Sequence, residues 1–237
     1  MGLDIYVGSL TRYYSGDWET VVQQLGNLAG KQVVTVRPPQ EEEAITDTET
    51  VQEIVSVWME ALAKGLEPRL GVPSMWKDEA FSAYFTDKPA WDCFGSLLVW
   101  AAHLDHPEME RPGDFVERWF EEPAVVASNA EGFESQFSHL LRAGIEMWLP
   151  IDFPFTFDTV DVAGRQISFG SSPALRRQLA RLNELTWRAD EEVIRSWRKT
   201  CPEFQSPVEM GAKFAFEILW RLSKHAVEET LPMKLDY

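Results

Sequence analysis

Leu3-Asp4-Ile5-Tyr6-Val7, followed by Ser15-Gly16-Asp17 and then by Trp18, Val21, Val22, Leu25 and Leu28, is the stretch whose reading decides the fold class. The first five residues are rich in β-formers and alternate, which predicts a strand with Leu3, Ile5 and Val7 on its buried face. The next set opens on capping residues and recurs at helical spacing until Gly30 ends the pattern. Gln32-Val33-Val34-Thr35-Val36 reads as a second strand. Strand, helix, strand is a βαβ-like unit, in which a right-handed crossover would join a parallel pair.

Outward from this unit the chain is mainly helical. Pro38-Pro39 and Glu41 to Glu43 form a solvated loop, and Thr46 to Glu49 supplies capping chemistry. A helix with Val51, Ile54, Val55, Trp58 and Leu62 on one stripe should stop at Gly65. Residues 66–90, with Pro68, Gly71, Pro73 and Pro89, read as an irregular connection of the kind that often carries function. Ala90 to Leu104 is apolar on nearly every face and predicts a central buried helix. Asp114 to Glu117 has the form of a capping box, and Phe133, Phe137, Leu140, Leu141 and Trp148 predict another helix, closed by Pro150. Residues 155–169 return to strand chemistry and predict a hairpin around Ala163-Gly164. Ser172-Pro173 should open a helix of roughly 27 residues. Ser206 to Glu209 is a capping box for the last helix, and Pro232 to Tyr237 reads as a tail. The expected class is α+β: one mostly helical domain over residues 1–237 with a small sheet.

Composition narrows the function. The chain has 237 residues with 45% hydrophobic and 25% charged, a globular balance. The ten tryptophans are spread along the chain, and eight of them fall in predicted helices, leaving Trp76 and Trp91 as contact candidates. The N-terminus lacks a basic leader and no apolar run approaches the roughly 20 residues of a bilayer span, so a cytoplasmic protein is expected. Cys93 and Cys201 are too few for a disulfide framework and lack metal-ligand spacing. Of the net charge of −16, residues 1–150 hold −15 and the remainder −1. Such a surplus repels nucleic acid and acidic membranes and steers a basic protein toward it.

Searches for chemistry mostly exclude. There is no Walker or dinucleotide glycine pattern, no GxSxG elbow, no HExxH and no EF-hand loop. No cofactor is implied. His103 and His106 share a helical face and form a weak metal candidate, set against the ordinary preference for histidine near a helix C-terminus. Asp4, in an apolar strand ahead of Arg12 and Tyr13, must be paired if both sheet faces are covered, and Arg12 is one partner to consider. The helix from Ser172 carries Arg176, Arg177, Arg181, Arg188, Arg195, Arg198 and Lys199 against four acids. It reads either as internal neutralisation or as an anion strip anchored at Gly170-Ser171-Ser172 with Arg176.

In general character, an acidic, aromatic-rich chain without catalytic signatures is similar to bacterial immunity proteins that neutralise toxins. That similarity lies in composition and assigns no residue a role. The leading expectation is a non-enzymatic protein-binding module with an acidic face, of immunity or inhibitor type, using exposed aromatics such as Trp76. The alternative is a small-molecule hydrolase or ligand-binding protein with a cleft near Asp4, Arg12, Tyr13 and His103.

Overall fold

The computed structural model describes residues 3–31, 47–71 and 75–236. In chain order its elements are β1 (Asp4–Val7), α1 (Leu10–Ser15), α2 (Val21–Leu28), α3 (Thr48–Leu70), β2 (Phe85–Asp87), α4 (Trp91–Asp105), α5 (Pro123–Ser128), α6 (Ser138–Leu141), β3 (Ile145–Leu149), β4 (Phe157–Val160), β5 (Gln166–Ser171), α7 (Ser172–Leu185), α8 (Glu191–Ser196), α9 (Val208–Glu228) and β6 (Met233–Asp236). Single 3-10 turns lie at Trp119–Glu121 and Trp197–Lys199. The class is α+β, as the sequence predicts.

The described strands form one mixed sheet in the order β2-β1-β6-β3-β5-β4, in which β3 and β5 run parallel and the other pairs antiparallel. Alternation divides the side chains between two cores. Leu3, Ile5, Val7, Met233 and Leu235 face a core built with α4, α7 and α9. Met147, Leu149, Ile167 and Phe169 face a second core closed by Leu10 of α1 and by Val51, Val55, Leu62 and Leu66 of α3. An irregularity in β3 between Ile145 and Met147 puts Ile145 and Trp148 together on the first side.

Trp148 sits opposite Gly170 of β5, and its indole N–H donates to the His139 carbonyl at 2.7 Å. Gly170 is required by that packing, because a Cβ there would lie 2.6 Å from Trp148 Cδ1 and 3.3 Å from His139 Nδ1.

Several expectations are corrected. The expected strand Gln32 to Val36 and the loop through Glu43 lie outside the described residues, and β1 has both neighbours antiparallel. The helix expected to stop at Gly65 runs on to Leu70 through Pro68. A mid-helix glycine costs about 1 kcal/mol relative to alanine, which burial of Leu62 and Leu66 on either side of it outweighs. The irregular connection thus loses its first residues to α3 and contains β2.

The helix expected over Phe133 to Trp148 is only α6. Gly144, at φ +76°, turns the chain into β3, whose Met147 and Leu149 belong to the second core. Asp114 to Glu117 opens no helix; Glu122 caps α5 instead. The long helix from Ser172 breaks at Leu185. There Asn183 brackets Ala189 by two hydrogen bonds, Arg188 adopts φ 51°, and Asp190 caps α8. Ser206 donates to the Glu203 carbonyl and does not cap α9. The expected C-terminal tail is β6, an interior strand. The hairpin near 155–169 is β4 and β5.

Gly170→Ala is expected to destabilise by about 2 kcal/mol, since Trp148 is held on the other side and overpacking cannot relax. Gly113→Ala, whose Cβ would meet nothing within 4 Å, is the control and should stay within about 0.5 kcal/mol. Urea unfolding of both variants checks this.

Candidate functional site

A cavity with a mainly aromatic and aliphatic wall lies where the N-terminal half of α4 meets α5 and the turn before β3. Its volume is about 500 Å³. Ile145, Trp148 and Leu235 from the sheet make the floor, and Trp91, Phe94 and Trp119 make one wall. Gly95 builds that wall: the Trp119 ring lies so close to it that a Cβ would sit 2.1 Å from Trp119 Cδ1. Trp119 then packs at 5.2 Å from Trp91 and edge-on to Phe120 at 5.7 Å. Phe120 and Val126 on the rim remain 50% and 54% exposed.

Polar groups in this cavity are committed to structure. Asn129 donates to the Val125 and Leu141 carbonyls and accepts from the Ala143 N–H, tying α5 to the turn before β3. Arg142 pairs with Asp158 at 3.3 Å. The site is therefore an aromatic socket with a polar edge, suited to holding an apolar side chain or ring.

The residues singled out from the sequence lie elsewhere. Asp4 is paired with Lys88 at 3.0 Å, while Arg12 reaches Asp17 at 3.6 Å and covers the Tyr84 ring. Tyr13 donates to Asp236 at 2.5 Å. Asp236 is the cross-strand neighbour of Asp4, so Asp4 and Tyr13 do share one region, beneath α1. That region is packed: Tyr6, Tyr13, Trp18 and Tyr84 form a contiguous aromatic cluster. Burial first, then the Asp236 carboxylate, pushes the Tyr13 hydroxyl well above its ordinary value. Asp4, Arg12, Tyr13 and His103 line neither the socket nor three further cavities near α3, α5 and α7.

Lys234 and Asp161 meet beside that cluster, at 3.6 Å and both enclosed. Burial alone would raise the Asp161 value. The Arg165 backbone N–H, the Lys234 charge and the Arg165 guanidinium overcome it and hold the carboxylate low. Burial likewise draws Lys234 down, opposed by Asp161.

Trp76 is 5% exposed and packs against Trp58 in the second core, which removes it as a surface anchor. Ser171 is enclosed: its hydroxyl donates to the Ile151 carbonyl and caps α7 by accepting from the Ala174 N–H, and its own N–H is taken by His139. Arg176 stacks on Trp220 and donates to that residue's carbonyl. Ser171 and Arg176 thus leave no anion strip on that side of α7. His103 bonds Glu122 at 3.0 Å and His106 contacts Glu108 at 3.5 Å. Among the described residues no group of three or more metal-ligating side chains converges. Cys93 is buried, which lifts its thiol to about 11.

The socket was overlooked because its rim comes from a 3-10 turn and a one-turn-and-a-half helix without periodicity. The available signals were Gly95, an unexplained glycine within an apolar helix, and the adjacent pair Trp119-Phe120.

Comparisons add no relative. No protein-family model matches the sequence, and neither a curated protein nor a solved structure shows significant similarity to the chain. Among the described residues no helix is long and apolar enough to cross a membrane.

His139 anchors the wall behind the socket and is buried as the neutral imidazole. Burial is the main reason that its folded-state value falls from 6.5 to about 4, with Arg177 adding to the drop and the Pro154 carbonyl and Asp152 opposing it. Because the folded value is depressed for a base, its contribution is complete above pH 6.5 and lost as pH falls toward 4. Protonation of Nδ1 also breaks its bond from the Ser171 N–H. Denaturant midpoints measured across this window should fall with acid in the native protein. The dependence should be shallower in His139→Gln if that variant folds.

Proposed function

We propose that the protein is a binding module that receives the apolar anchor of a basic protein segment in the aromatic socket between α4 and α5. The observation that carries this reading is the pairing of that socket with its own acidic surround. The segment from Asp105 to Glu134 supplies Trp119, Phe120, Val125, Val126 and Ala130 to the wall, and carries nine acids against Arg111 and Arg118. Asp114, Glu117, Glu121, Glu131 and Glu134 are exposed on it.

Interfaces concentrate their energy in a desolvated aromatic centre with a charged rim that governs approach and partner choice. Phe120 and Val126 have the exposure such a centre needs before its partner arrives. The wider charge of −16 supports the same preference at longer range. An inhibitor or immunity-type role, in which binding itself is the activity, is the form of this function that the composition favours. Asp4, Asp161, Lys234 and His103 are held in internal ion pairs and do not line the socket, which supports binding over bond-breaking chemistry there.

A synthetic peptide with a Leu-Phe pair between lysines should bind saturably in isothermal titration calorimetry, and its glutamate-flanked counterpart should not. Affinity should fall at least tenfold between about 50 mM and about 500 mM salt, because the rim charges are screened. Phe120→Ala should weaken binding about tenfold, the scale of one good anchor contact, and Val126→Asp should abolish it. Equal binding of the two peptides, or indifference to both substitutions in folded protein, would defeat the proposal.

A further inference from the structure

We infer that a second pocket, over the first three turns of α7, is an oxyanion site that takes a carboxylate or phosphate group on His139, Arg177 and Arg181. This inference stands apart from the socket and its partner. The pocket has a volume of about 300 Å³ and is lined by these three residues with Pro154, Ala174 and Gln178.

The side chain that points to a ligand is His139. It is 1% exposed, yet it belongs to the pocket wall. Its Nδ1 accepts the Ser171 N–H at 2.9 Å, which leaves the proton on Nε2. Nε2 makes no complete hydrogen bond. The Pro154 carbonyl beside it serves as a weak backbone acceptor for that proton. A buried donor left in this state is uncommon in a folded chain and is resolved when a ligand supplies the acceptor.

The ring is also held in place. Gln178 accepts the His139 backbone N–H at 2.8 Å and donates to Ser138 at 3.3 Å. The donor is therefore fixed by β5 on one side and by α7 on the other.

Arg177 and Arg181 add the charge. They are four residues apart on α7 and so share a face, with Ala174 one turn before Arg177 leaving room beside them. Arg177 already shows the geometry of carboxylate capture, because both its terminal nitrogens bond Asp152, at 2.9 and 2.6 Å. Asp152 occupies the fork as an internal competitor. Arg181 makes a single contact, from one terminal nitrogen to Glu184 at 2.7 Å. All four of these side chains are more than half exposed, and ion pairs of that kind contribute little, so an incoming oxyanion can displace them. Such an anion gains what Asp152 and Glu184 leave unused, the His139 Nε2–H. Position 176 points away onto Trp220, so the cationic pair lies one residue further along, about 100° around the helix.

The test uses inorganic phosphate and acetate as separate probes, with binding followed by calorimetry and by the His139 imidazole ¹⁵N resonances. Saturable binding of either probe, with a shift at Nε2, is expected, and whichever probe binds tells which group is preferred. Arg177→Gln and Arg181→Gln should each weaken it about tenfold, the loss of one charge-assisted contact. Asp152→Asn should tighten it about threefold by releasing the Arg177 fork. All three changes are at exposed positions, so folding should survive them. Failure of both probes to bind would overturn the assignment. So would binding that Arg177→Gln and Asp152→Asn leave unchanged, or that leaves Nε2 unmoved.

Discussion

The structure depends on β6. Residues 233–236 pair with β1 on one side and β3 on the other, and among the described strands nothing else joins the β2-β1 edge to the β3-β5-β4 portion of the sheet. The strand serves both cores: Met233 and Leu235 enter the one beneath α9, and Lys234 enters the opposite side beneath α1. A lysine inside a sheet costs its hydration, and here an enclosed carboxylate and two tyrosine rings stand in for water. Asp161 in turn closes the β4–β5 turn by accepting from the Ala163 and Arg165 N–H groups. One buried ion pair thus links the first strand region, the hairpin and the last strand.

The parts of the fold that were legible in the sequence are those whose local pattern and tertiary role agree. β1, α9 and the β4–β5 hairpin show the period of the element they form, and α4 is marked by an apolar run too long for a strand. The failures share a physical cause. Met233 to Asp236 is too short to distinguish from a tail, since its strand character is imposed by neighbours far away in the chain. Ile145 to Leu149 was hidden because Leu140, Leu141 and Trp148 happen to fall at helical spacing, and Gly144 alone marks the turn between them. The helix after Ser172 breaks on side-chain bonds from Asn183 that no periodicity reveals.

The candidate sites follow the same division. Asp4 was recognisable as needing a partner, and Lys88 supplies it, whereas Tyr13, expected at a cleft, is packed against Trp18 and bonded to Asp236. Ser171 and Arg176 are engaged internally, by the α7 cap and by Trp220. The geometry moves the exposed cationic positions to Arg177 and Arg181 and brings in His139, from a distant segment, as their neighbour. The aromatic socket could not be assembled from sequence because its walls come from α4, the 3-10 turn, α5 and β3 together. Charge was the most transferable signal, since net acidity over a region needs no knowledge of contacts.

Placing β6 beside β1 has a kinetic consequence. Asp4 and Asp236 are partners across more than two hundred residues, so the central ladder carries a very high sequence separation. The entropy of closing that loop must be met before the strand pair contributes. The hairpin and the α4–α9 packing can form over shorter separations. The sheet between them is then completed late, and until it is, the edges of β1 and β3 stay open to pairing with other chains.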